Sequence, residues 1–169
     1  CPACRGRGRV PREERVRVQV PPGMDEGHLL RVPGYGNLGP GGPGDLYLRI
    51  RVRPHPHLER QGPDLVYRLR LGLAQAALGA RVVVPGLEGP IPLDIPPGTG
   101  HGEVFALEGG GLPLPGGRGR GTLRVVVELA VPKKLSPKAQ KLLRAYAEEV
   151  GEEVAPEGFW ERLKGFFRK

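Results

Sequence analysis

Cysteine, methionine and aromatic side chains are scarce in this chain of 169 residues, which holds two Cys, one Met, one Trp, four Tyr and four Phe. The two thiols, Cys1 and Cys4, are too close together for an ordinary structural bridge and too few for a disulfide framework. No apolar run approaches the roughly 20 residues that a bilayer-spanning helix needs, and no secretory signal pattern is visible. A soluble, cytoplasmic protein without membrane contact is therefore expected. Nucleophiles are almost as rare. Ser136 is the single serine and stands before Pro137 in a helix-start pattern, while Thr99 and Thr122 sit beside glycines. Acidic residues fall mostly in turns and in the terminal helices, so neither a catalytic triad nor a paired acid and base can be read, and no enzymatic activity is expected. The chain opens on Cys rather than Met and is expected to be part of something longer.

Glycine and proline are abundant instead, at 28 and 20 residues, but regular Val/Leu/Ile alternation separates this composition from disorder and indicates a mainly β fold. The stretch from Val16 to Gly36, VRVQVPPGMDEGHLLRVPGYG, returns as Leu93 to Gly111, LDIPPGTGHGEVFALEGGG. Pro21-Pro22-Gly23 maps onto Pro96-Pro97-Gly98, Gly27 onto Gly102, Gly34 onto Gly109 and Gly36 onto Gly111, each 75 residues later (21 to 96). Past a small insertion, Gly44-Asp45-Leu46 maps onto Gly121-Thr122-Leu123, 77 residues later (44 to 121). Each copy reads as one supersecondary unit: apolar alternation into a Pro-Gly turn, a second strand, a glycine-rich loop and a third strand.

Strict alternation predicts strands over Arg15 to Val20, His28 to Val32, Asp45 to Arg53 and Asp64 to Leu73, then Arg81 to Val84, Ile91 to Ile95, Glu103 to Leu107 and Thr122 to Val131. Ala74 to Leu78 can form a helical turn or two, stopped by Gly79. Gly34-Tyr35-Gly36-Asn37-Leu38-Gly39 matches the dinucleotide fingerprint letter for letter, but Pro40-Gly41-Gly42-Pro43-Gly44 follows where the phosphate-facing helix would have to begin. A loop between strands is the expectation there. His55-Pro56-His57 marks a surface corner. The opening CPAC has zinc-knuckle spacing without a second ligand pair, an isolated half site, and no cofactor is expected.

At Leu135 the period changes. Ser136 as N-cap, Pro137 at the first helical position and the stripe Ala139, Leu142, Leu143, Tyr146, Ala147 and Val150, closed by Gly151, predict an amphipathic helix. Beyond Pro156, the residues Phe159, Trp160, Leu163, Phe166 and Phe167 fall on one broad face of a second short helix. Chemistry alone leaves two readings of that face open: a helix folded onto its own domain, or an intermolecular anchor, most simply a homodimer contact.

The formal net charge of +8 permits an acidic partner, and a basic β-domain binding nucleic acid is one reading. Against it, Arg15, Arg17, Arg49, Arg51, Arg53, Arg68 and Arg70 are dispersed and alternate with apolar residues, as on a solvated strand face. Aliphatic strands with open edges can also bind an extended peptide by adding it as a strand, the main chain giving affinity and the pockets accepting side chains.

The motifs CxxCxGxG (Cys1 to Gly8), VPPGMDEG, GDLYLRIRVRPHPHLERQGPDLVY, AALGARVVVPGLEG and IPPGTGHGEVFALEGGGLP together resemble the C-terminal substrate-binding region of the DnaJ co-chaperones, over nearly the whole chain. The resemblance implies a remnant of a cysteine-rich region at 1–11, two tandem β-sandwich-like subdomains of related topology at 12–60 and 61–132, and C-terminal helices at 133–169 that dimerise. It implies binding of unfolded polypeptide clients and their transfer to a DnaK-type ATPase chaperone. The family's peptide groove falls on Val16, Leu48 and Leu58, with Leu58 where many relatives carry phenylalanine. Its dimer segment falls on Phe159, Trp160, Leu163, Phe166 and Phe167, which favours the homodimer reading. Only the last of the family's four CxxCxGxG units is present, and the J domain, with its His-Pro-Asp signature, is not in this sequence. Stimulation of the partner ATPase is therefore not expected of this chain by itself, and the strands that complete the first sheet in the family are also not in it.

Overall fold

The computed structural model describes residues 2, 6, 10, 13–156, 158 and 159. The chain divides into two compact units, Cys1–Leu129 and Ala130–Lys169.

In the first unit the expected alternation becomes strands β1 (Leu29–Val32), β4 (Leu46–Arg49), β6 (Asp64–Gly72), β7 (Ala80–Pro85), β8 (Pro90–Ile95), β9 (Val104–Leu107) and β10 (Leu123–Ala130). Two small pieces, β2 (Leu38–Gly39) and β3 (Gly42–Pro43), and one further strand, β5 (Leu58–Gln61), complete the set. β5, β6, β10 and β9 lie side by side in that order, whereas β1–β4, β2–β3 and β7–β8 are separate two-stranded ribbons. The β1–β4, β2–β3, β5–β6, β7–β8 and β9–β10 pairings are antiparallel. Helix α1 (Leu73–Leu78) follows β6 directly; the Gln75 side-chain carbonyl accepts from the Gly72 N–H at 3.0 Å, and the helix stops at Gly79.

The duplication read in the sequence extends to individual hydrogen bonds. In the first copy the Gly27 N–H donates to the Ile50 carbonyl and the Ile50 N–H to the His28 carbonyl; in the second, Gly102 donates to Val127 and Val127 to Glu103. Leu29 stands opposite Arg49 as Val104 stands opposite Val126. The two Pro-Pro-Gly turns carry nearly the same backbone, with φ of 82° at Gly23 and 83° at Gly98, a conformation open to glycine at little cost. Gly36 and Gly111 match as well: each donates to the glycine that closes its loop, Gly44 and Gly121. A Cβ on Gly36 would come within 2.5 Å of the Asp45 carbonyl oxygen, and one on Gly111 within 2.5 Å of the Gly121 carbonyl carbon. The stretch that matched a dinucleotide fingerprint is thus a miniature hairpin, with Leu38 opposite Pro43 and Gly39 opposite Gly42, and no helix follows it.

The copies differ in what covers them. The second supplies the core: Leu71, Val84, Leu123, Val125 and Val127 have 0% of their surface exposed, and Leu58, Leu65, Leu69, Ala76, Leu93 and Ile95 join them. Four strands and the β7–β8 ribbon contribute to that cluster. The segment Arg15 to Val20, expected as a strand, corresponds to β8 but forms no ladder among the described residues. Its alternation survives only as burial, Val16 and Val18 being half-buried and Arg15, Arg17 and Gln19 exposed. A period of two specifies a face, but strand pairing also needs a neighbour's N–H and carbonyl groups alongside.

In the second unit, helix α2 (Pro137–Val150) forms as its punctuation predicts. The Ser136 hydroxyl accepts from the Ala139 N–H at 3.2 Å, and Gly151 closes the helix in the left-handed region at φ 75°, ψ 25°. The Glu152 N–H reaches back to the Ala147 carbonyl at 2.8 Å, so two of the last carbonyls are satisfied by the turn itself.

Candidate peptide-binding surface

The β1–β4 ribbon has two chemically distinct faces. Leu30 lies directly opposite Leu48 and Val32 opposite Leu46, and all four are half-buried. On the other face Leu29, Arg31, Tyr47 and Arg49 are exposed. The corresponding pairs of the second copy, Phe105 with Val125 and Leu107 with Leu123, pack in the core. The same register therefore buries Leu123 and Val125 completely in one copy and leaves Leu46 and Leu48 partly exposed in the aliphatic strip of the other, whereas Phe105 and Leu107 are half-buried like Leu30 and Val32. β1 lies at the edge of its ribbon, with β4 as its one partner among the described residues. An edge with aliphatic side chains beside it is what strand addition requires.

Of the three residues expected to line the groove, Leu48 lies in this strip and Val16 in the half-buried extended segment upstream. Leu58 is elsewhere in the scaffold. It sits in β5 opposite Tyr67, within the core cluster and 8% exposed. Its remaining surface borders a depression of about 550 Å³, also lined by Val52, Arg53, Leu65, Leu87 and Leu112, which neither Val16 nor Leu48 reaches. Leu30 and Val32 escaped the sequence reading. Their signal was present, because LLRV alternates and its copy VFAL aligns with it at the same 75-residue offset (29 to 104).

Two side chains brace the strip. Asp45, just before β4, accepts from the Gly34 N–H at 3.1 Å and from Arg31 Nε at 2.6 Å. The backbone bond to Gly34, then the guanidinium, hold its carboxyl below the usual carboxylate range. Arg60 on β5 reaches the turn of the first copy, donating to the Met24 carbonyl at 3.3 Å and pairing with Asp25 at 3.3 Å. His55 is structural, since its Nδ1 accepts from the N–H groups of His57 (3.2 Å) and Leu58 (3.1 Å), and an imidazole thereby closes the corner that starts β5.

Among the described residues no three His, Cys, Asp or Glu side chains gather as a metal site, and no helix is long and apolar enough to cross a membrane. Cys1 and Cys4 lie outside the described residues, as do Trp160, Leu163, Phe166 and Phe167 of the expected dimer segment; Phe159 is described and is 38% exposed.

Comparison with known proteins agrees with this architecture. The sequence model of the DnaJ C terminal domain family matches residues 6–132. A chaperone protein DnaJ of Acetivibrio thermocellus is 43% identical over 171 aligned positions, covering 100% of this chain and 43% of the relative. Those of Leptospira biflexa and Chlamydia felis are 40% and 42% identical over 99% of this chain, covering 45% and 44% of their own length. The chain thus spans less than half of the chaperones it matches. With a duplicated strand-turn-strand unit, a mainly β architecture and similarity along its whole length to chaperones, the chain belongs to the DnaJ C-terminal domain family.

Proposed function

We propose that this chain is the client-holding part of a DnaJ-type co-chaperone. It binds extended apolar segments of unfolded polypeptides by β-strand addition and presents them for transfer to a DnaK-type ATPase chaperone, as a homodimer joined through its C-terminal region. The observation that carries this reading is the aliphatic strip on an edge ribbon, where Leu46 and Leu48 keep part of their surface exposed although their counterparts Leu123 and Val125 are fully buried, with Val32 and Leu30 opposite them. An incoming strand gains main-chain hydrogen bonds from β1, which favour extended chains without selecting sequence, and buries alternate apolar side chains against the strip. Val16 and Leu48 belong to that surface, and Leu58 acts from below as part of the scaffold that holds β5. Holding a client in this way needs no bond-making residue, in keeping with relatives that are named as chaperones.

The test is binding of a fluorescent apolar peptide together with suppression of aggregation of a denatured client. Leu48→Asp places a charge in the strip and should weaken peptide binding at least tenfold, a loss of about 1.4 kcal/mol or more, while leaving the oligomeric state unchanged. Unchanged affinity would put the site elsewhere, and failure of the unaltered chain in both assays would remove the reading.

A further inference from the structure

The outward face of the β1–β4 ribbon differs in chemistry from the same face of the second copy. Arg31 stands opposite Tyr47 and Leu29 opposite Arg49. Arg51 and Arg53 continue the alternation past β4, and the Ile50 N–H still donates to the His28 carbonyl at 2.9 Å. Tyr47, Arg49, Arg51 and Arg53 are all exposed, Tyr47 by 59%. Their counterparts 77 residues later (47 to 124) are Arg124, Val126, Glu128 and Ala130. In that copy the charges are matched: Arg124 pairs with Asp64 at 2.8 Å, and Glu128 with Arg68 at 3.4 Å, which also pairs with Glu59. On the face of the first copy Arg31 is matched by Asp45, whereas Arg49, Arg51 and Arg53 take part in no ion pair among the described residues.

We propose that this face binds single-stranded nucleic acid, with the arginines holding phosphates and Tyr47 stacking on a base. The basic residues look dispersed along the sequence because a strand has a period of two; folding gathers Arg31, Arg49 and Tyr47 on one surface. Alternate residues of a strand stand about 6.7 Å apart, which lets successive arginines serve successive phosphates of a stretched strand. The row from Tyr47 to Arg53 covers about 20 Å at that rise, room for about three or four nucleotides. An exposed aromatic ring among cations on a sheet face is how sheet-based modules take unpaired bases, since every base offers a π-face and every nucleotide a phosphate. An acidic peptide would match the arginines but leave Tyr47 without a stacking partner, and a duplex keeps its bases hidden; the tyrosine therefore favours single strands. Leu30, Val32, Leu46 and Leu48 lie on the opposite face of the ribbon, so a client strand and a nucleic acid use different side chains.

The test is fluorescence anisotropy of labelled oligouridylate and oligothymidylate of about twelve nucleotides, titrated with the whole chain between about 50 and 200 mM salt. Binding should weaken as salt rises. Arg49→Gln, Arg51→Gln and Arg53→Gln together should lower affinity at least about tenfold and reduce the log–log salt slope by about 2, three phosphates at about 0.7 each. Lys133→Gln, Lys134→Gln and Lys138→Gln remove the same charge away from the ribbon and should change affinity by less than about twofold. Tyr47→Ala should weaken binding about tenfold with the slope unaltered, because stacking releases no counterions. Circular dichroism of all the variants should match the parent, the substituted side chains being exposed. Equal losses in the arginine and lysine sets would mean that net charge alone attracts the strand. Unaltered affinity in Tyr47→Ala, or polyglutamate competing as well as the oligonucleotide at equal charge, would assign the face to acidic polypeptide. Either result, or no binding at about 50 mM salt, would overturn the proposal.

Discussion

Leu46 and Leu123 are the same residue at the same place in the two copies, which makes them a matched pair for measuring how open the first copy is. Leu46 faces Val32 and is half-buried; Leu123 faces Leu107 and has no exposed surface. Truncation to alanine removes three carbons from each. At about 0.8 kcal/mol per buried carbon the transfer loss at Leu123 is about 2.4 kcal/mol, and the enclosed cavity raises the cost towards the range of about 2–5 kcal/mol seen for leucine truncations in cores. At Leu46 about two-thirds or more of the transfer loss applies, roughly 1.6–2.2 kcal/mol, and water reaches the space so the cavity cost is small. The expected difference is about 1.5 kcal/mol. Urea unfolding of the two variants beside the parent should show it as a midpoint difference of about 0.75 M, for an m-value near 2 kcal/mol/M. Equal losses would mean that the aliphatic strip is as closed in solution as the second core, and the argument that it is available to a client strand would fail.

Gly111→Ala should cost about 1–3 kcal/mol, read as a lowered thermal midpoint, because its Cβ would stand 2.5 Å from the Gly121 carbonyl carbon and 2.7 Å from the Pro63 carbonyl oxygen, both backbone atoms. Acid should loosen both copies. Asp45 is held down first by the Gly34 N–H and then by Arg31, and Asp94 by Arg81, so their folded-state values lie below the unfolded one of about 4. The stability they contribute is present above that pH and is lost as pH falls through the folded values; Asp45→Asn with Asp94→Asn should flatten the dependence of the urea midpoint on pH in that window, and an unaltered slope would discard the assignment.

Strand placement was largely legible in the sequence because apolar alternation reports a half-buried strand directly, as at Asp64–Gly72 and Val104–Leu107. The helix after Ser136 was legible for a different reason: its cap, first-turn proline and terminal glycine are local signals that need no tertiary partner. Arg15 to Val20 shows the limit of the first kind of signal, since its alternation equals that of Pro90–Ile95 and only the presence of β7 separates a strand from an extended segment. Leu58 shows another. An apolar residue after a His-Pro-His corner can face a groove or a core, and how much of Leu58 is covered depends on Leu65, Leu69 and the strand opposite it, which no local pattern encodes. Leu30 and Val32 had the right pattern but gained their meaning from their opposite numbers Leu48 and Leu46, a relation fixed by register.

The two-residue mismatch between the copies is absorbed at one place. Leu38 and Pro43 face each other in the first hairpin, and their counterparts Pro113 and Arg120 are bridged in the second, so the four residues between the former become six between the latter. Everything before the tip keeps one offset and everything after it keeps the other, with hydrogen bonds unchanged on both sides. Lengthening a loop by half costs only a few tenths of a kcal/mol in closure entropy. The tip at Gly116-Gly117 is thus a natural insertion point, where a fluorescent tag or an affinity handle can be spliced in while the β9–β10 ladder keeps its register.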